Sequence, residues 1–175
     1  MSNHPLPVTK YSQPARWLHW SIAALLILTF ALGVFLDNSS ADSLKFLLIK
    51  FHAPLGTLVG VLVLVRTYFA FKHPRPLPDP NWSALVKWAS KITHILLYVL
   101  PLALVISGIG IMALSGLSEM LITGQTQSWP ALNELLPRAG HGVTSKLLLA
   151  AIVLHIAGAI YHQRIAKDNI LDRMR

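Results

Sequence analysis

The chain contains no cysteine. That excludes disulfides, thiolate metal sites, iron–sulfur ligation and covalent haem attachment through a C-x-x-C-H motif. Charge is scarce as well: 13% of the 175 residues are Asp, Glu, Lys or Arg, against 54% hydrophobic, a balance outside the range of ordinary water-soluble domains. Only seven residues are acidic, and none lies in a long apolar run. A metal held inside those runs would have neither thiolate nor carboxylate ligands. Internal repeats and low-complexity tracts are also missing.

What the chain does have is four apolar runs, residues 17–36, 52–71, 92–113 and 142–165. Each reaches the roughly 20 residues that a helix needs to cross a hydrocarbon core of about 30 Å. Each is bounded by Pro, Asp, Asn or clustered positive charge, the usual punctuation of helix ends. The expected fold is all-α, a single membrane-embedded four-helix bundle over residues 1–175 with both termini on one side. The first run is too long for the roughly 7–15-residue core of a signal peptide and reads as a retained span. The loop "KHPRPLPDPNW", with prolines at 74, 76, 78 and 80, reads as a stiff extended connector, with His73 solvated inside it.

Lysine and arginine set the orientation. Lys10, Arg16, Arg66, Lys72, Arg75, Lys87, Lys91, Arg164, Lys167, Arg173 and Arg175 fall on one side, and only Lys45, Lys50, Arg138 and Lys146 on the other. The positive-inside rule therefore puts the termini in the cytoplasm. Asp37, Asp42, Glu119 and Glu134 neutralise the outer four, so the formal charge of +8 is cytoplasmic. Topology and anionic lipid headgroups account for it, and nucleic acid is not needed.

Histidine is the candidate ligand. Of eight, all but His4 and His73 lie in or at the ends of the runs: His19, His52, His94, His141, His155 and His162. Ionisable residues at membrane depth are costly and mostly functional. From His141 to His155 is a step of 14 residues, about 21 Å along a helix, and it returns the side chain to within about 40° of the same face. One helix thus offers two ligands at two depths. Their partners by height are His52 for His141 near the outer surface and His19 for His155 near the inner one. Two imidazoles per site suit haem iron, whose porphyrin fills the equatorial plane and leaves two axial positions. Zinc asks for about four protein ligands.

The same 14-residue step leads from His19 to Gly33, at the height where a flat macrocycle must approach the first helix, and from His52 to Arg66, where propionates need a counter-charge. Gly33 also reads as a packing residue, like Gly56 and Gly60, and Arg66 as a side chain snorkelling to headgroups. His162 lies seven residues past His155 and His94 opens the third run at a similar level. Both are candidates for a quinone site, for propionate binding or for proton relay, or else are interfacial histidines. Trp17, Trp20, Trp82 and Trp88 read as an aromatic belt.

The segments "ARWLHW", "IKFHAPLG" with Arg66 downstream, "KITHILLYVLPLALVISG" and "HGVTSKLLLAAIVLHIAGAIYHQRIAKDNILDRM" closely resemble the bacterial cytochrome b561 family over almost the whole chain. The resemblance extends more distantly to the cytochrome b subunits of nickel-iron hydrogenases and formate dehydrogenases. It implies a four-helix bundle in the bacterial inner membrane enclosing two b-type haems, with axial ligands His19, His52, His141 and His155. It further implies electron transfer from a periplasmic one-electron donor, superoxide or a redox protein, to ubiquinone at the cytoplasmic side, as in a superoxide:ubiquinone oxidoreductase. Outer cations such as Lys45, Lys50, Arg138 and Lys146 would draw superoxide modestly, and the periplasmic segment from Leu114 to Gly140 is where a donor would dock. Two other readings stand beside this one: a membrane anchor relaying electrons for a larger dehydrogenase or hydrogenase, and a histidine-lined metal or proton transporter without haem.

Overall fold

The structure, a computed structural model, describes residues 10–124 and 129–175; His4 lies outside them. The described residues are helical, with no strand among them. Five α-helices follow in order: α1 Gln13–Asn38, α2 Asp42–Lys72, α3 Ala84–Leu114, the short α4 Leu117–Thr123, and α5 Leu136–Tyr161. The four long ones, counting α5 with its continuation to Ala166, are long and apolar enough to span a membrane. They form the bundle. Most of their large apolar side chains are exposed, Phe71, Leu85 and Ile106 among them. A bilayer, not a protein core, is the solvent for such a surface.

Local sequence explains the helix ends. Pro14 sits in the first turn of α1 and Pro137 in that of α5, where the missing N–H has no helical partner to lose. The Ser83 hydroxyl accepts from the Val86 amide to cap α3. Lys72 closes α2, its positive charge matching the helix dipole, and the proline-rich stretch beginning at Pro74 prevents continuation. Gly116 and Gly124 flank α4 with φ of 77° and 69°, a backbone region that L side chains rarely adopt. Only Ser39–Ala41 separates α1 from α2, which makes those helices antiparallel neighbours.

Every long helix begins before its apolar run. The differences are four residues for α1, ten for α2, eight for α3 and six for α5. Hydropathy marks the hydrocarbon slab, whereas backbone hydrogen bonding continues into the headgroup layer. His52 consequently lies ten residues past Asp42, about 15 Å into its helix and not at the start of it. His94 is likewise ten residues inside α3.

The closest-packed helix pairs are α3 with α5 and α1 with α2, joined through α2 and α3. Ile22, Val59 and Val63 form the core of one junction and Leu100, Leu148 and Ala151 that of the other. At Gly60 an added Cβ would lie 2.6 Å from Val105 Cγ2, so α2 and α3 approach closely because this residue has no side chain. The helix α5 makes no comparably close approach to α1 or α2. Across that wider separation the histidines face one another.

Candidate haem sites

The structure brings the histidines together in two pairs. The ring centroids of His19 and His155 are 6.1 Å apart, with planes crossing at 69°, and those of His52 and His141 are 6.2 Å apart, crossing at 64°. All four side chains are partly buried. The helix α5 carries one member of each pair, and the 14-residue step between them is uninterrupted α-helix, so the sites lie about 21 Å apart along it. Among the described residues, no group of three or more His, Asp or Glu side chains is arranged to hold a metal ion alone. Each site therefore offers two nitrogen donors.

The His52–His141 site is held from behind. His52 Nδ1 donates to the Thr29 carbonyl at 3.0 Å, and His141 Nδ1 lies 2.9 Å from the Ser107 hydroxyl. In each ring the nitrogen left for a metal is Nε2. Gly33 lies against the first ring: a Cβ built there would come within 2.9 Å of His52 Cε1. Gly108 on α3 lies against the second, where a Cβ would stand 3.7 Å from His141 Cε1. The Thr29 hydroxyl is buried beside this site with no hydrogen-bond partner among the described residues, a polar atom that a bound group could satisfy.

The His19–His155 site lies at the end of the bundle where the two termini meet, as the Tyr11 amide donating to the Arg173 carbonyl shows. Arg66, half-buried, donates to the Ala15 carbonyl of α1 and is within electrostatic reach of both His19 and His155. His94 stands beside His155, ring centroids 5.3 Å apart, with its Nδ1 donating to the Ser90 carbonyl of its own helix at 2.6 Å. His162 is elsewhere. Its Nδ1 lies 2.6 Å from Asp168 Oδ2, which also accepts from Trp82 Nε1 at 2.9 Å, and its ring packs on Trp82 at 4.4 Å. Of the two histidines considered together from sequence, one adjoins the pair and the other fastens the C-terminal tail.

That tail closes this end. After α5 the helix widens into a π-turn, His162–Ala166; Lys167 and Asn169 adopt left-handed φ of 56° and 54°, and a 3₁₀ turn follows at Ile170–Met174. Trp20 Nε1 donates to the Met174 carbonyl, Arg16 to Arg175 and Arg173 to Leu77. Trp20 and Trp82, expected only as belt residues, are thus hydrogen-bonded to the tail.

At the opposite end, Arg138 pairs with Asp37 and Lys45 with Asp42 at 3.4 Å, while the Trp129 amide donates to Asp42 at 3.2 Å. Two of the four cations considered for drawing an anion are therefore already neutralised locally. Residues 125–128 of the segment considered for donor docking lie outside the described residues. Thr29, Ser107, Gly108, Asp168 and Trp82 were not legible as site residues from sequence, although a serine beside a glycine in an apolar run, "ISGIG", was a usable signal for two of them.

The family comparisons agree with this architecture. The model for prokaryotic cytochrome b561 matches residues 10–175. Cytochrome b561 homolog 1 of Escherichia coli K12 is 28% identical over 174 residues, covering 95% of this chain and 97% of that protein. A Yersinia pestis protein named probable superoxide oxidase CybB is 25% identical over 178 residues, covering 94% and 95% respectively. With four membrane-length helices and a family match over nearly its full length, the chain belongs to the prokaryotic cytochrome b561 family, membrane cytochromes that carry b-type haem and transfer electrons.

Proposed function

We propose that this protein binds two b-type haems, one between His19 and His155 and one between His52 and His141, and moves electrons across the bacterial inner membrane from periplasmic superoxide to ubiquinone. The observation that carries the reading is the spacing within each histidine pair. Two metal–imidazole bonds of about 2.0–2.1 Å, each extended by ~1.15 Å from nitrogen to ring centre, add to about 6.3–6.5 Å. The centroid separations are 6.1 and 6.2 Å. With two donors at each site and wider spacing around α5, the residues present fit a flat macrocycle whose iron lacks only axial ligands.

When bound, the haems would supply two one-electron stations, one toward each membrane face. The protein's own residues do the rest. Thr29 and Ser107 orient the outer imidazoles, Gly33 gives the His52 ring room, and Arg66 places a cation beside the inner pair, suited to propionates. The positive-inside count assigns the end with the termini to the cytoplasm. There His94 adjoins the inner pair, where it is available to a quinone headgroup, while His162 and Asp168 keep the tail in place close by. The name of the Yersinia pestis relative supports superoxide as the donor, and Lys50 and Lys146 are the outer cations left without a carboxylate partner in the described residues.

The test begins with a dithionite-reduced minus oxidised spectrum and a pyridine haemochrome count on detergent-purified protein. Two b-type haems per chain are expected, followed by superoxide-dependent reduction of ubiquinone. A colourless protein overturns the reading, and a two-haem protein inert to superoxide restricts it to a relay for another donor.

A further inference from the structure

We propose that Ser107 is a positioning residue that fixes the proton of His141 on Nδ1 and, together with the Thr29 carbonyl, makes the outer iron the more readily oxidised of the two. The inference rests on the two-haem reading and deepens it by giving the electron path a direction.

The hydroxyl geometry decides the tautomer. A serine has one proton to donate. Ser107 Oγ lies 3.0 Å from the Leu104 carbonyl, three residues back in α3, and 2.9 Å from His141 Nδ1. A carbonyl accepts and never donates, so the hydroxyl proton goes to Leu104. The oxygen then has only lone pairs to offer His141, and Nδ1 must carry the hydrogen. His52 is constrained in the same way, since its Nδ1 partner is the Thr29 carbonyl. Both outer imidazoles are thereby held as Nδ1–H donors, each presenting a bare Nε2.

An imidazole that donates from Nδ1 to an acceptor becomes a stronger base at Nε2. Stronger axial donors stabilise the ferric state over the ferrous one. At the inner site the described residues provide no hydrogen bond to a ring nitrogen of His19 or His155, while the Arg66 guanidinium, which has no carboxylate partner among the described residues, lies within electrostatic reach of both; the cation at the outer pair, Arg138 near His141, is neutralised by Asp37. A nearby cation stabilises the ferrous state, which carries one positive charge fewer. The two effects have opposite sign at the two ends. With haem bound at both sites, these residues would favour transfer of one electron from the outer site, which would be oxidised, to the inner site, which would be reduced, with no proton exchanged.

Potentiometric titration of haem-loaded protein tests this, in a His19→Ala background that leaves the outer site alone. Ser107→Ala is expected to raise the outer midpoint potential by the equivalent of a several-fold to about tenfold loss of ferric preference, as removal of one neutral hydrogen bond implies; tenfold is ~59 mV for a one-electron couple. Ser107→Thr, which keeps the hydroxyl, should restore it. Haem dissociation from Ser107→Ala should also quicken, by about 10–100-fold in affinity. If Ser107→Ala loses the haem outright, Ser107→Thr must still hold it at the parental potential. An unchanged potential in Ser107→Ala, or failure of Ser107→Thr to restore it, overturns the inference. A parent protein with both outer and inner sites empty overturns instead the two-haem reading on which it rests.

Discussion

Gly33 offers the sharpest single-atom test of the His52–His141 site. A methyl added by Gly33→Ala would start 2.9 Å from His52 Cε1 and 3.4 Å from its Nδ1. Carbon atoms settle at about 3.5–4.0 Å, so the ring must retreat by about 0.6 Å or more. It is not free to do so, because Nδ1 is tied to the Thr29 carbonyl at 3.0 Å and the ring faces His141 at 6.2 Å. Ligand distances in metal sites hold to about ±0.2 Å. The shift is several times that tolerance, and a loss of about 10–100-fold in affinity for the outer haem follows, the range seen when a ligand's support is disturbed. The helix itself should not suffer, since alanine is the better helix former by about 1 kcal/mol. Gly108→Ala is the internal control: its methyl would stand 3.7 Å from His141 Cε1, an ordinary contact. The assay is haem per chain by pyridine haemochrome, with dissociation followed by transfer to excess apomyoglobin. Gly33→Ala should fall toward one haem and Gly108→Ala should keep two. Equal haem retention in the two variants refutes the reasoning.

Other outcomes follow from the same geometry. His19→Ala and His52→Ala should each leave one haem, with different α-band maxima; loss of both from either single change would mean that the sites are not independent. Because the ring planes cross at 69° and 64°, two iron d orbitals are left nearly equal in energy, and the oxidised protein should give strongly anisotropic low-spin EPR signals; a purely rhombic spectrum contradicts the crossing. Asp168→Ala removes the acceptor shared by His162 and Trp82, loosening the tail by about 1–3 kcal/mol, which limited trypsin cleavage at Lys167 would report; parental resistance would show that the backbone contacts of residues 170–175 suffice. Gly60→Ala places a methyl 2.6 Å from Val105 Cγ2 and should cost about 1–3 kcal/mol through overpacking, relieved by Val105→Ala; if the double variant melts no higher than Gly60→Ala, the clash is not the cause.

Four spans and their antiparallel order were legible in sequence, because uncompensated backbone in a bilayer leaves the helix as the only solution for such runs. The depth matching of the histidines was legible for the same reason: within one helix, residue number converts directly to height. His52 shows the limit of that reading. Its apolar run starts at the histidine, yet α2 begins ten residues earlier, while α5 begins five residues before His141, so the helix starts do not mark the level at which the two rings meet. What could not be read were contacts set by the rotation of one helix against another. Whether Ser107 bonds only its own helix or also a neighbouring imidazole depends on the α3–α5 register, and hydropathy carries no information on that. The tail was hidden for a different reason. Its path turns on left-handed conformations at Lys167 and Asn169, not at glycines, and the contacts of Asp168 with His162 and Trp82 help hold that path.

The distribution of histidines over the helices separates what must stay fixed from what is free to adjust. The helix α5 supplies a member of both pairs, and between His141 and His155 it has neither proline nor positive φ. The vertical separation of the two sites is therefore set by helical pitch alone. The remaining ligands come from different helices, His19 from α1 and His52 from α2, and these two pack closely on each other. Proline interrupts the other two helices instead: Pro54 follows His52 by two residues, and Pro101 lies buried in the middle of α3, which carries no paired histidine. A proline removes one backbone hydrogen bond and permits a local bend. Pro54 thus frees one backbone carbonyl close to His52, on a helix that does not set the distance between the two pairs. In the proposed two-haem reading that arrangement matters, because electron transfer depends steeply on the separation of the two stations, and the separation is held by α5, the helix that carries a histidine of both pairs and has no interior proline.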